Sequence, residues 1–557
     1  VARAARRQLR GVRADGLMPN ARCLCPYLFI IAMCLTLSPA WGTSAQPLVP
    51  TQPDLPPLGR SRFDLLIGNA PVPFPYARLA QKIQSQMQAD PGGLPALKTT
   101  LIPLGRSLQK NAGAPDFFRF PRVVAAADGL NKAGVDPLQD RLFLGFHEKG
   151  EVVEVISYND DAARFEFQIV RDYAPGKIPQ VFYARRSLCL ACHQNAAPIF
   201  ARPLWDETSA NPAIARRLRD ARKDFYGIKL SGTDIAYFID AATERANLFS
   251  VWQTLWQQGC GAGETGDRCR MEAFSAALDY ARNGRLPAAS ALPTLARNWK
   301  IRWPHGLPIP NPDLPNRDPL AALPDAANDP LLPRLPLEIW HAPDKTAFIV
   351  GLAGMLDAAV VKQSAVKRLG QRDLSAALER LRARGELAAG PFNPSLLHAV
   401  LAEFDMPHKP SLTRLPPARI EAGVRFTGAH ALFRTQCGLC HDSTANFPPN
   451  FLHGDDAAVS ARLDHCAERI FYRLSLWHVT AARRSKSPMP PPSILATRGI
   501  DVATWARSPA LATLLEDVRL RIRAQGGQPE TLLARPFGQL RACLPPTLSQ
   551  PQRMPHE

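Results

Sequence analysis

Two short segments of this chain carry the same set of donor atoms at the same spacing: Cys189-Leu-Ala-Cys192-His193 and Cys437-Gly-Leu-Cys440-His441. Both follow the pattern C-x-x-C-H, which attaches c-type haem. The spacing has a chemical reason. Two thiols three residues apart can each form a thioether with a haem vinyl group, and the adjacent imidazole is then held under the iron. Zinc is the main rival, because C-x-x-C is half of a zinc ribbon. The halves of a ribbon stand about 15–20 residues apart, whereas these stand more than 240 apart. A thiol redox motif explains neither the immediate His nor the duplication. The expectation is two covalently bound c-type haems, with Cys189, Cys192, Cys437 and Cys440 as attachment points and His193 and His441 as iron ligands.

Haem attachment of this kind belongs outside the cytoplasm, and the start of the chain agrees. Arg3, Arg6, Arg7, Arg10, Arg13 and Arg22 precede an apolar run from Leu24 to Leu37, and Thr43-Ser44-Ala45 before Gln46 fits a signal-peptidase site. Residues 1–45 therefore read as a signal peptide, with Met18 as an alternative start. A retained anchor needs about 20 apolar residues, and Pro26, Pro39 and the small residues after Leu37 favour cleavage. A periplasmic protein without a stable membrane span after cleavage is expected.

Losing residues 1–45 removes six Arg and one Asp, so the net charge falls from +18 to +13. A basic chain often meets nucleic acid. Here no run of Lys or Arg longer than two follows Arg13, so no nucleic-acid partner is expected. The charge instead suits anionic cofactor groups and an acidic periplasmic redox partner protein. Cys23, Cys25 and Cys34 leave with the signal, and Cys260, Cys269, Cys466 and Cys543 remain as an even set in an oxidising compartment. Proximity suggests the pairs Cys260–Cys269 and Cys466–Cys543, with free buried thiols as the alternative.

The elements that position the motifs can be read from periodicity. Residues 46–62 are Pro-rich and polar, a loose arm, and a helix is expected near Tyr76–Ala89. From Arg141 the period changes to two. Phe143–His147 and Val152–Tyr158 flank a turn at Glu148–Glu151, Phe165–Val170 follows, and Gln180–Tyr183 leads into the first motif. Four antiparallel strands are expected, with Arg185 and Arg186 just before the first motif. Asn211–Leu218, Ala241–Gln257 and Met271–Asn283 show helical spacing, the last after a flexible loop between Cys260 and Cys269. Ala288–Asp344 is dense in Pro and reads as a connector or wrapping arm, followed by two or three helices within Thr346–Phe404. The fold class expected is α+β, mostly α. It divides into a haem unit with a small antiparallel meander (46–295), a Pro-rich connector with helices (296–416) and an all-α end (417–557).

That end resembles class I cytochrome c over about 120 of the 557 residues. Ala431–Cys437 is similar to that family's first helix running into its motif, and Phe447-Pro-Pro-Asn-Phe-Leu452 to the loop after it. Arg469–Leu474 resembles the helix packed on the haem face, Ser487-Pro-Met489-Pro-Pro the loop presenting a distal methionine, and Ala503–Arg523 the closing helix. The resemblance implies Met489 as the second iron ligand opposite His441. A thioether is a soft neutral donor that favours ferrous iron and raises the potential. A core-filling methionine is the ordinary alternative, and His453, His465 and His478 are competing ligands. The insertion carrying His465 and Cys466 departs from the compact family pattern.

The first motif matches no class I pattern. Strands ending in C-x-x-C-H resemble the cytochrome c′-beta type or a sheet-based sensor bearing c-haem, which implies an open or apolar distal side. Phe146, Phe165 and Tyr183 are candidates to line it, with sheet core as their alternative. His147, His305, His341, Met271 and Met355 are the candidate second ligands. Arg185, Arg186 and Arg202 are candidates to pair with haem propionates.

No catalytic acid–base pair, Ser-His-Asp order, P-loop or dinucleotide fingerprint is evident. Electron transfer by an exported dihaem c-type cytochrome is the favoured expectation. The alternatives are a peroxidase- or oxygenase-type oxidoreductase, with an open N-terminal haem fed by the C-terminal one, and a haem-based gas sensor. The first motif follows strands rather than a cytochrome helix, which separates this chain from the dihaem peroxidases.

Overall fold

The computed structural model describes residues 59–543, apart from 90–91, 132–137, 195–196, 198–205, 229, 231–233, 322–328, 367–369, 405–418, 420–429 and 443–447. It is a mixed α/β structure with one large antiparallel sheet. The strands run in chain order: β1 (Leu97–Ile102), β2 (Arg122–Ala127), β3 (Leu142–His147), β4 (Val152–Asn159), β5 (Arg164–Arg171) and β6 (Gln180–Tyr183). Four strands were expected and six are present. β1 and β2 escape because Leu97–Ile102 and Arg122–Ala127 carry neither a regular polar–apolar period nor aromatic residues, whereas β3, equally buried, is marked by Phe143 and Phe146. Val123 through Ala127 are all buried, and their alanines suit a helix as well as a strand.

The register places Phe143 opposite Ile156, and Ile156 opposite Phe167, in one row across the sheet. The row lies on the face that also carries Tyr158 and Phe165. Leu142, Leu144, Phe146, Val153 and Val155 point to the other face, as the two-residue period requires. That second face is covered by α1 (Arg62–Ile67) and α2 (Tyr76–Ser85). Ser61 caps α1 by accepting the amide of Asp64 at 3.2 Å, and donates its hydroxyl to Gln168 on β5 at 2.7 Å. The end of the expected loose arm is therefore pinned to the sheet; residues 46–58 lie outside the described residues. α3 (Arg186–Leu190) opens the first motif, and α4 (Pro212–Ala221) adds Ile214 and Leu218 to the same covering layer.

The first face is covered by α5 (Asp234–Thr254), α6 (Gly263–Asn283), α7 (Pro293–Arg302), α8 (Lys345–Met355), α9 (Ala358–Val366), α10 (Gln371–Ala383) and α11 (Ser395–Ala402). The helices expected beyond Thr346 thus pack into the same core as β3–β5. α6 begins at Gly263, not at Met271 after an open loop. Gly261 and Gly263 take positive φ and turn the chain sharply. The disulfide Cys260–Cys269 then clips the first turns of α6 to the end of the preceding helix. Fully buried Arg270 donates to the carbonyls of Leu387 at 2.6 Å and Gly261 at 2.8 Å, closing the same corner.

The C-terminal part has its own core, built by α12 (Ala431–His441), α13 (Asp456–Ser475), α14 (Pro492–Thr497), α15 (Val502–Ala506), α16 (Pro509–Ala524) and α17 (Pro529–Leu532). The single closing helix expected over Ala503–Arg523 is two helices. Pro509 cannot donate into a continuing helix, and Ser508 restarts it by accepting the amide of Leu511 at 3.2 Å. α16 packs chiefly along α13 and also meets α12. Cys466 on α13 is joined to Cys543, so both proposed cysteine pairs are bonded.

The described residues from 59 to 543 belong to one compact unit. No single helix among the described residues is long and apolar enough to cross a membrane; one pair, α8 with α9, passes that test only when taken together across a 96° bend.

Candidate functional site

The second motif occupies the last turn of α12. His441 ends the helix, and its Nδ1 lies 2.7 Å from the carbonyl of Pro449 in the following loop. A carbonyl there requires the proton on Nδ1, which leaves Nε2 with its lone pair, the form that binds a metal. Phe451 stacks on the ring at a centroid distance of 4.2 Å. Burial pushes the His441 imidazole down to about 4, so it is neutral at ordinary pH. Burial pushes the Cys437 and Cys440 thiols up to about 12. All four motif cysteines lack a disulfide, in contrast with the other four described cysteines.

Met489 sits in the loop between α13 and α14. Its amide donates to the carbonyl of Arg473 at 3.1 Å, and its carbonyl accepts the indole N–H of Trp477 at 2.9 Å. Two residues earlier, fully buried Ser487 gives its amide to the carboxylate of Asp329 at 2.8 Å. The Pro-rich segment thus reaches from the sheet to the methionine loop. Cys437, Cys440, His441 and Met489 all line one cavity of about 690 Å³. Its apolar wall includes Leu439, Ile470, Phe451 and Pro490. Cofactor pockets commonly span about 300–1,000 Å³. The donor types and the cavity size would suit a porphyrin, which Cys437, Cys440, His441 and Met489 would hold and which would supply a one-electron couple.

The competing histidines do not line this cavity. His453 pairs with Asp442 at 3.3 Å, His478 is exposed, and His465 lies on α13 with its Nε2 buried and unpartnered. Among the described residues no three His, Cys, Asp or Glu side chains converge on a metal-sized point.

The first motif follows β6 directly. The edge of β6 is extended by Arg419, whose carbonyl accepts the Tyr183 amide at 2.7 Å and whose guanidinium donates to Gln180 at 2.7 Å. Arg186 is buried, donates to the carbonyl of Phe165 and stacks over Phe167, so it anchors α3 to β5. Arg185 lies close enough to Cys440 to act on its thiol electrostatically, reaching across to the other motif. Arg202 is outside the described residues. The amide of His193 donates to the carbonyl of Cys189 at 3.0 Å, closing the motif turn, and burial pushes the imidazole down to about 4.

The aromatic lining differs from expectation. Phe167, not Phe146, Phe165 or Tyr183, meets His193, at a centroid distance of 5.3 Å. Phe146 stacks on Tyr76 beneath the opposite face, Phe165 packs with Tyr158 and Phe249, and Tyr183 gives its hydroxyl to Asp64. Register explains this, since Phe167 lies at the end of the row that faces α3. The candidate second ligands all have other surroundings. Met271 and Met355 pack in the helical core, His305 and His341 are exposed, and His147 accepts the Gly150 amide at 3.0 Å through Nδ1.

The two motifs lie against each other. Ala191 and Cys192 of the first share one apolar cluster with Leu439 of the second, Met489, Ile494 and Leu331. α14 packs on α3, and Cys440 is among the groups acting on the Cys192 thiol, which burial pushes up to about 12. The Pro-rich segment holds both sides. Gln194, next to His193, donates to the carbonyl of Leu332 at 2.8 Å and accepts the amide of Arg334 at 2.8 Å, while Asp329 holds the Met489 loop.

No known protein family, curated protein or solved structure matches this chain. The sequence marked seven candidate donor residues but not Asp329, Gln194, Trp477 and Phe167. Phe167 was visible as a strand residue near the motif; the other three carry no local signal.

Proposed function

We propose that the protein is an exported, periplasmic dihaem c-type cytochrome that transfers electrons. The observation that carries this reading is the shared apolar cluster of Ala191, Cys192, Leu439 and Met489. Two attachment motifs brought into contact suit electrons passing between two centres, because exchange falls steeply with distance. The C-terminal part is proposed as a class I cytochrome c-like unit, with His441 and Met489 as axial donors. Haem iron supplies a one-electron couple whose potential depends on the axial donors, burial and nearby hydrogen bonds.

The chain's own contribution is positional. Pro449 fixes the His441 tautomer, Trp477 and Arg473 hold the backbone of Met489, and Asp329 ties that loop to the segment holding Gln194. The reading is tested on the exported protein by intact mass and alkaline pyridine spectra. Two covalent haems are expected, with one lost in Cys189→Ala/Cys192→Ala and one in Cys437→Ala/Cys440→Ala. A wild-type chain carrying none would sink it.

A second reading is an oxidoreductase with an open iron at the first motif. It is favoured by the other surroundings of Met271, Met355, His147, His305 and His341. Carbon monoxide added to the ferrous protein separates the two. No spectral response leaves electron transfer, whereas a response from half the haem assigns a reactive iron to the His193 site.

A further inference from the structure

The wall of the 690 Å³ cavity is strongly basic. Arg106, Lys110 and Lys149 reach it from the sheet half, and Arg469, Arg473 and Lys486 from the C-terminal half. Among the described residues lining it, Asp329 is the single carboxylate. Several of these cations are already engaged. Arg106 pairs with buried Glu207 at 2.6 Å, Arg469 donates to the carbonyl of Leu540 at 3.0 Å, and Arg473 faces Asp329 at 3.7 Å.

Among the described residues Lys149 meets a neutral acceptor, the carbonyl of Ala114 at 2.7 Å, and the ring of Phe120, and forms no ion pair. Lys110 makes no ion pair with any described carboxylate; it is half-buried beside Arg106, Arg317 and Lys486, and the nearby Glu207 is already paired with Arg106 and Arg317. Collecting like charges in a partly desolvated wall is costly without an anion to face them. The same cavity holds the thiols and imidazole of the second motif, and a haem attached there carries two propionate carboxylates.

We propose that Lys110 and Lys149, from the sheet half, act with Arg473 and Lys486, from the C-terminal half, as the binding site for the two propionates of the haem attached at Cys437 and Cys440. This rests on the haem reading above. Its specific content is that two of the cations come from outside the cytochrome c-like segment. Lys110 follows β1 and Lys149 lies in the β3–β4 turn, so the sheet half clamps the C-terminal cofactor and sets its potential. A cation beside the porphyrin edge favours the reduced, more negative state, so these lysines raise the potential of the site.

The test uses the full exported protein with Lys110→Gln/Lys149→Gln. Intact mass first establishes two covalent haems in the wild type; fewer would overturn the functional reading itself, not merely this one. Potentiometric titration of the methionine-ligated haem in the double variant is then expected to shift its equilibrium about tenfold toward ferric, about 59 mV lower. The shift should shrink at high ionic strength, since the wall is partly solvent-accessible. Lys110→Arg/Lys149→Arg should restore the wild-type value within about twofold. Lys486→Gln, on the opposite half, should shift it in the same direction as the Gln pair. An unchanged potential in the Gln pair with both haems attached would overturn the proposal. So would an equal shift in the wild type on adding inorganic phosphate at constant ionic strength, which would make the site one for a diffusible anion.

Discussion

The carboxylate of Asp329 accepts the amide of Ser487 at 2.8 Å, across 158 positions of chain and two residues before Met489. Asp329 is almost fully buried, and its other oxygen accepts the amide of Leu331 at 3.0 Å. A buried carboxylate is tolerated when donors and a cation face it, and Arg473 supplies the cation at 3.7 Å. The bond joins the Pro-rich segment to the loop presenting Met489.

Asp329→Ala should therefore leave the Ser487 amide buried without an acceptor. A loss of about 1–3 kcal/mol in stability is expected, measured by denaturant unfolding. Asp329→Asn keeps an acceptor oxygen and should recover much of it. Equal losses in the two variants would show that the hydrogen bond is not what matters.

If the proposed haem at Cys437 and Cys440 is ligated by Met489, Met489→Ala should remove the sulfur-to-iron band at the red end of the ferric spectrum and lower the potential of one haem. The neighbouring backbone contacts through Trp477 and Arg473 do not need the side chain, so the fold should persist. Persistence of both the band and the potential would take Met489 out of the ligand set.

His147 bears on acid stability. Burial, followed by Arg122 and Lys149, pushes its folded pKa down to about 4. An unfolded histidine titrates near 6.5, so the unfolded chain gains a proton first as the pH falls. Stability attributable to His147 is complete above about pH 6.5 and declines between about 6.5 and 4, by about 3 kcal/mol in all. His147→Gln should flatten that limb in thermal unfolding at pH 7 and pH 4.5. A variant as acid-sensitive as the wild type would assign the limb to other groups.

Cys260 and Cys269 enclose a short loop at the start of α6. Replacing both with Ser should cost about 2–3 kcal/mol through freedom regained by the unfolded chain. Buried Arg270 should keep the corner closed, so spectra of the distant motifs should not change. Altered haem spectra in this variant would show that the corner does position them.

The candidate donor residues were legible because the C-x-x-C-H pattern is written in contiguous sequence. Two thiols and an imidazole within five positions need no tertiary context to be recognised, and Met489 stands out through the prolines around it. The four hydrophobic strands β3–β6 were legible for a similar reason, since Phe143–His147 and Val152–Tyr158 flank an obvious turn. β1 and β2 were not, because Leu97–Ile102 and Arg122–Ala127 have neither the regular alternation nor the aromatic residues that mark a strand. Likewise Pro509 divides the closing helix by a local rule, yet the capping role of Ser508 emerges only with the chain in place.

By itself, then, the sequence determined which atoms are available as ligands, because each motif is local and its spacing is chemical. Tertiary structure alone decided that the two motifs meet through Ala191, Cys192 and Leu439, that Phe167 rather than Phe165 faces His193, and that Asp329 holds the methionine loop. Those relations depend on the placement of α3 and on a Pro-rich segment crossing between halves. Phe165 and Phe167 share one face, so the choice between them turns on where α3 lies along β5, and a crossing contact joins residues far apart in the chain. Neither quantity is encoded at a fixed spacing, so packing had to supply both.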